Sequence, residues 1–191
     1  DQSGNRKVSL TCSGTTLSES VIDCYIPGVE VHTAGDSLSG STLSLDGTTP
    51  FLDAGKPQLL KVAASVALPD QGDVSVALLE SEFVDIAGVY LIPSKGNLLR
   101  DQDPAAVQET FDLGTYSKDE FFPSDRAFLR SPYVLRDYRG VACVIQPFAY
   151  NPVRHVLRVY KHLKVRISVS SSSPGVNEIN RTSLPLAVDP E

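Results

Sequence analysis

Tryptophan and methionine are absent from this chain, and its 191 residues include only three cysteines and three histidines. Without Trp there is no indole platform for stacking on a sugar ring. An odd cysteine count leaves at least one thiol free or pairing between chains. Neither Cys-x-x-Cys nor His-x-x-x-His spacing occurs, which argues against a zinc site. Positive charge is also scarce. Seventeen Lys and Arg face 23 Asp and Glu, a net charge of −6. Nucleic-acid binders normally carry the opposite sign. No apolar run approaches the roughly 18–20 residues of a membrane span. The first residues, Asp1 to Lys7, are polar and hold no signal-peptide apolar region. The missing initiator Met leads us to expect a processed or excised segment. No Gly-rich phosphate loop and no Gly-x-Ser-x-Gly elbow are found.

What the chain does have is strand chemistry. Hydrophobic residues make up 41% of it, enough for a core, and Val, Ile and Thr together number 38. Thirteen Gly and thirteen Pro break it too often for a helix bundle. Strand-like runs cover Lys7–Cys12, Ser20–Ile26, Val29–Thr33 and Ser41–Leu45. Turn residues separate them at Ser13-Gly14, Pro27-Gly28, Ala34-Gly35-Asp36 and Asp46-Gly47. Leu59–Leu68 and Val74–Glu82 flank Pro69-Asp70-Gln71-Gly72-Asp73 and predict an antiparallel hairpin. Val84–Ile92 predicts a further strand with a bulge at Gly88. Val141–Phe148 is another, followed by a turn at Asn151-Pro152. From His155 to Val169 the alternation is the clearest in the chain. Leu157, Val159, Leu163, Val165, Ile167 and Val169 share one face, and Lys161 interrupts it, which predicts a bulge or an edge.

These patterns predict an all-β fold, an antiparallel β-sandwich of nine to eleven strands, with residues 1–170 as its body and 171–191 as a linker or C-terminal tail. Pro93 to Asp119 is the exception, long and polar. Asp103 followed by Pro104 predicts one short helix there. Cys12 and Cys24 leave open either a local bridge or free thiols. Cys143, inside Val141-Ala142-Cys143-Val144-Ile145, reads as a small buried hydrophobe. Asp101 and Asp103 read as solvated loop charges rather than calcium ligands. The group Arg136, Asp137 and Arg139 reads as an ion-pair cluster at a strand start. No catalytic residue, cofactor site or metal site is visible. The long loop carries one arginine after two leucines, with acids behind it: Leu98, Leu99, Arg100, Asp101, Gln102, Asp103. That composition suits a trypsin-like specificity pocket.

The stretch from Gly55 to Val169 resembles the propeptides of gingipain-type cysteine peptidases, closest to the arginine-specific members. The matching pieces are Gly55-Lys56-Pro57, Pro93-Ser94-Lys95-Gly96, Arg100, Asp103-Pro104, Phe121-Phe122-Pro123, Leu135-Arg136-Asp137, Arg139-Gly140 and Tyr150-Asn151-Pro152. Residues 1–54 match loosely. The resemblance implies a crescent-like, jelly-roll-type antiparallel sandwich from a secreted bacterial zymogen, exported by type IX secretion. It implies that the chain is an inhibitor and not an enzyme, with a caspase-like catalytic domain as its partner beyond this sequence. The inhibitory loop, Leu98 to Asp103, would place Arg100 in that domain's primary specificity pocket. Arg126 and Arg130 are the competing loop arginines. Asp101 and Asp103 would make the bond after Arg100 a poor substrate. Neither a nucleic acid nor a membrane is an expected partner. The alternatives are an adhesion or carbohydrate-binding module, and the non-inhibitory N-terminal domain of a gingipain-like transpeptidase.

Overall fold

The computed structural model describes residues 7–16, 18–33 and 40–181. Among them are twelve strands and one short helix. In chain order the strands are β1 (Ser9–Thr16), β2 (Glu19–Tyr25), β3 (Glu30–Thr33), β4 (Ser41–Ser44), β5 (Thr49–Pro50), β6 (Leu60–Leu68) and β7 (Asp73–Ala87). The helix α1 (Leu113–Tyr116) precedes β8 (Ala127–Leu129), β9 (Tyr133–Leu135), β10 (Tyr138–Ile145), β11 (Phe148–Asn151) and β12 (Val156–Ser170).

Two five-stranded sheets form the body. In the first, β12 is central. One of its edges carries β2 at one end and β11 at the other, β7 runs along its second edge, and β1 lies outside β2. In the second, β10 pairs with β6 on one edge and with β8 and β9 on the other, and β5 extends β6. All of these pairings are antiparallel, as is the separate ribbon β3–β4.

The alternation on β12 dictates its place. Leu157, Val159, Leu163, Val165 and Ile167 are buried, while the residues between them are partly exposed. Each buried aliphatic chain contributes about 1.5–3 kcal/mol, so this stripe carries roughly 10 kcal/mol of gross burial. It joins Ile22 and Cys24 of β2 and Val62, Val66, Val141, Cys143 and Ile145 of the second sheet in one core. Lys161 is exposed and sits at a bulge, as the broken alternation predicts; a second register shift lies between Lys164 and Val165.

Several elements differ from the expectation. Leu60–Leu68 and Asp73–Ala87 are not hairpin partners: β6 pairs with β10, and β7 with β12. Strand β7 finds a full-length partner in the 15-residue β12, β6 pairs along Arg139–Ile145 of β10, and the turn at Pro69–Gly72 carries the chain from one sheet to the other. The predicted strands Val74–Glu82 and Val84–Ile92 are largely one strand, because no turn residue interrupts Glu82 to Val84 and β12 offers a 15-residue partner. Strand β7 stops at Gly88, which has φ +77°. Val141–Phe148 is conversely split between sheets. Pro147 has no N–H to donate, and its carbonyl accepts from Tyr160 N at 2.8 Å. Ser13-Gly14 lies within β1 at a register shift rather than in a turn. The turn predicted at Ala34-Gly35-Asp36 lies outside the described residues.

The short helix falls at Leu113–Tyr116, not at Asp103. Asp103 instead closes a turn, its carbonyl accepting from Ala106 N at 3.1 Å and its side chain from Ala105 N at 2.9 Å. Asp103 thus completes its own short hydrogen-bonded turn, a local alternative to a helical ladder.

Residues 171–181 run across one end of the sandwich. Asp73 N donates to Ser173 O at 3.1 Å, and Ile179 N to Asp70 O at 2.9 Å. The Glu178 carboxylate accepts from Gly72 N and Gly175 N at 2.8 and 2.7 Å. Arg139, only 1% exposed, donates to Val176 O from Nε and Nη2 and to Pro69 O from Nη1. The cluster expected of Arg136, Asp137 and Arg139 is therefore not an ion-pair group. Arg139 is satisfied by carbonyls, and Arg136 (φ +55°) and Asp137 link β9 to β10.

All three cysteines are free, Cys12 exposed and Cys24 and Cys143 buried. Cys12 lies opposite Ile22, and Cys24 opposite Leu10, so the two thiols are not cross-strand partners. Burial pushes the Cys24 thiol up to about 12 and that of Cys143 up to about 11.

Candidate functional site

The loop that holds Arg100 stands on a locked base. Ser94 is 3% exposed, and its hydroxyl donates to Phe51 O at 3.0 Å. Its amide donates to Lys56 O at 2.7 Å, and its carbonyl accepts from Gly55 N at 2.9 Å. Gly55, at φ +81°, brings its backbone against the next leg of the loop, where Asp112 N donates to Gly55 O at 3.0 Å. Lys56 Nζ then donates to the Asp112 carboxylate and, at 2.7 Å, to Thr115 Oγ1. That ammonium, with the Thr115 hydroxyl, holds the Asp112 carboxyl down to about 2. Residues 53–57, 92–96 and 110–116 are thereby tied together.

Above this base two contacts brace the loop. Lys95 Nζ donates to Pro104 O at 2.9 Å, joining its two legs. Leu99 and Gln102 are joined twice: Gln102 N donates to Leu99 O at 3.0 Å, and Leu99 N donates to Gln102 Oε1 at 2.9 Å. Arg100 and Asp101 are the tip of that turn. Arg100, Asp101, Gln102 and Asp103 are all exposed, and Leu99 is 65% exposed. Among the described residues the Arg100 guanidinium has no ion pair and no side-chain hydrogen bond.

The competing arginines differ. Arg126 is 8% exposed; it donates to the carbonyls of Pro123 and Gln146 and stacks 4.7 Å from the Tyr160 ring centroid. It joins a loop to the sandwich and is buried there. Arg130 is exposed, but its amide is held by Ala142 O at 2.9 Å, next to β8 in the sheet. Leu98 leads into the exposed turn.

Sequence reasoning missed the base. Lys56, Asp112 and Thr115 lie 56 and 59 residues apart in the chain, and no local pattern joins them. A signal for Ser94 existed in the piece Pro93-Ser94-Lys95-Gly96, where a glycine follows closely. Gly96 has φ +81°, and a methyl there would sit 3.1 Å from the Ala54 Cβ.

The structure is thus a two-sheet antiparallel sandwich with a braced loop whose tip arginine is unpaired among the described residues. The chain belongs to the Propeptide_C25 family, whose model matches residues 28–184. It is 34% identical over 129 residues to Gingipain R1 of Porphyromonas gingivalis, which covers 68% of this chain and 13% of that protein. It is 32% identical over 128 residues to Gingipain R2 of the same organism, 67% of this chain and 17% of that one. The chain thus spans less than a fifth of these relatives. Among solved structures, it superposes on the complex of Porphyromonas gingivalis RgpB pro- and mature domains with TM-score 0.82 and 26% identity, covering 89% of this chain and 87% of that one. The structure describing zymogenic latency of gingipain K, at 17% identity and TM-score 0.73, shares the fold; the match covers 89% of this chain and 96% of that one.

Proposed function

We propose that this propeptide domain keeps an arginine-specific, caspase-like cysteine peptidase latent by sitting across its cleft with Arg100 in the primary specificity pocket. In the same reading it is a secreted bacterial domain, carried by type IX secretion, and it assists the folding of its peptidase. One observation carries the inhibitory role: Arg100 sits at the exposed tip of a loop whose base and legs are fastened, and its charge is unpaired among the described residues. A free guanidinium makes a bidentate, charge-assisted pair with a pocket carboxylate. Arg rather than Lys at this tip favours an arginine-specific partner. The names of the relatives, gingipains R1 and R2, support the same assignment.

The test is inhibition of an arginine-specific gingipain-type peptidase by the purified chain, wild type beside Arg100→Ala. Losing one partner of a buried charge pair costs about 2–5 kcal/mol or more. That is a weakening of about thirty-fold to several thousand-fold. Because Arg100 is exposed, its removal should leave thermal stability unchanged. Equal inhibition by both proteins would move the plug elsewhere, with Arg130 the next exposed candidate.

A further inference from the structure

A loop offered to a peptidase is also offered for cutting, and the Arg100–Asp101 bond has the sequence of a substrate. Peptidase clefts take peptides in extended form, pairing with their main chain as an added strand does. Cleavage also needs the scissile carbonyl held in a near-attack geometry. Here the bond lies inside a turn. Its flanking residues, Leu99 and Gln102, are joined by one main-chain hydrogen bond and by one from Leu99 N to the Gln102 side chain. The first belongs to any such turn. The second depends on the identity of residue 102, since its acceptor is Oε1.

We infer that Gln102 is a positioning residue: its side chain staples the turn shut and protects the Arg100–Asp101 bond from hydrolysis while leaving the guanidinium free. In hydrolysis water adds across that amide, giving a carboxyl on Arg100 and an amine on Asp101. Opening the chain to an extended form first breaks both Leu99–Gln102 contacts. Lys95, bonded to Pro104 O, keeps the legs from spreading and so makes that opening harder. This mechanism is separate from any charge effect of Asp101 and Asp103, which acts on an extended chain as well. The biological consequence rests on the Arg100 reading above; the staple itself does not.

The first experiment therefore uses trypsin, which cuts after Arg whatever the natural partner is. The intact chain is digested and the cut after Arg100 is followed by mass spectrometry. Wild type, Gln102→Ala and Gln102→Glu are compared, and the same three sequences are cut as peptides of residues 96–106. The protein-to-peptide rate ratio removes each residue's intrinsic effect on trypsin. For Gln102→Ala that ratio should rise about five- to tenfold, the effect of one lost exposed hydrogen bond. For Gln102→Glu, which keeps an acceptor at the same reach, it should stay within about twofold of wild type. Unchanged protection in Gln102→Ala overturns the inference, as does loss of protection in both variants. Against a gingipain-type peptidase, inhibition by Gln102→Ala should decay with time, faster than that by wild type, as the loop is cut. Failure of Arg100→Ala to weaken inhibition would reject the plug without altering the trypsin ratios.

Discussion

Replacing Arg139 with Ala tests how the C-terminal segment is held to the sandwich. The guanidinium makes three hydrogen bonds of 2.8–3.2 Å to two carbonyls, Val176 O and Pro69 O. Hydrogen bonds to a charged group contribute about 1.5–3 kcal/mol each. Removing the buried charge also recovers its desolvation cost, several kcal/mol. What is left is two unsatisfied carbonyls at about 1–3 kcal/mol each. The lost contacts of the side-chain stem add to this. A net loss of about 2–4 kcal/mol follows, or roughly 4–16 °C in melting temperature for a chain of this size. Urea denaturation measures the first figure and calorimetry the second. Hydrogen exchange adds a local readout, because residues 175–181 should lose protection while β12 keeps it. Arg139→Met, which fills the space of the stem, should lose less than Arg139→Ala. A loss under about 0.5 kcal/mol with residues 175–181 still protected would refute the reasoning.

The other predictions concern backbone contact, thiols and acid. A methyl at Gly175 would overlap the Gly72 carbonyl oxygen and Arg139 Nη2, so Gly175→Ala should cost about 1–3 kcal/mol and expose residues 175–181 to exchange, as Arg139→Ala does. Ellman's reagent at pH 8 should react quickly with Cys12 alone, since burial raises the Cys24 and Cys143 thiols to about 12 and about 11; fast reaction of a second thiol in the native protein would contradict the packing. The carboxyls of Asp70, Asp85, Asp112, Asp119 and Glu178 all lie below their ordinary values, the first four through Arg or Lys donors and Glu178 through the amides of Gly175 and Gly72. A lowered folded value gives stability that is complete above the unfolded value of about 4 and is lost as pH falls through the folded one. Stability should thus be level above about pH 5 and fall between about pH 4 and pH 2, and a decline already at pH 6 would count against these pairs.

The sequence made strands legible wherever one face is buried and the other wet. Alternation on β12 gave its inner residues and the bulge at Lys161, because period two is a local property of the chain. Strand partners were not legible in the same way. Pro69–Gly72 carries the signature of a hairpin turn, yet it joins two sheets, since turn residues set how a chain reverses and not which neighbour it meets. Arg139 was visible as part of a charged cluster, but its burial depends on the carbonyls of Pro69 and Val176, each far away in sequence. The site divides likewise. The tip from Leu98 to Asp103 stands out by composition in a long polar loop. The base does not, because Lys56, Ser94 and Asp112 come together only once the sheets are folded.

The stiffness of that base decides whether an arginine can act as a plug at all. Fixing one residue's backbone costs about 1–2 kcal/mol. Had residues 97–103 been free until they met a partner, ordering them would cost on the order of 10 kcal/mol. On the proposed reading, the whole cost of truncating Arg100 is about 2–5 kcal/mol, much of it the penalty of an unpaired pocket charge, so a floppy arginine loop would bind poorly. The seating of Ser94 against Phe51, the strut from Lys95 to Pro104 and the join between Leu99 and Gln102 move that cost into the folding of the sandwich. Folding draws on a buried core far larger than any one loop contact. The same ordering keeps the tip in a turn, so on the proposed reading affinity and resistance to cutting would come from one set of contacts. Loosening the base through Lys56→Ala should therefore weaken inhibition and speed cleavage after Arg100 together, whereas Gln102→Ala should chiefly speed cleavage. If Lys56→Ala left both unchanged, the base would not be what orders the tip.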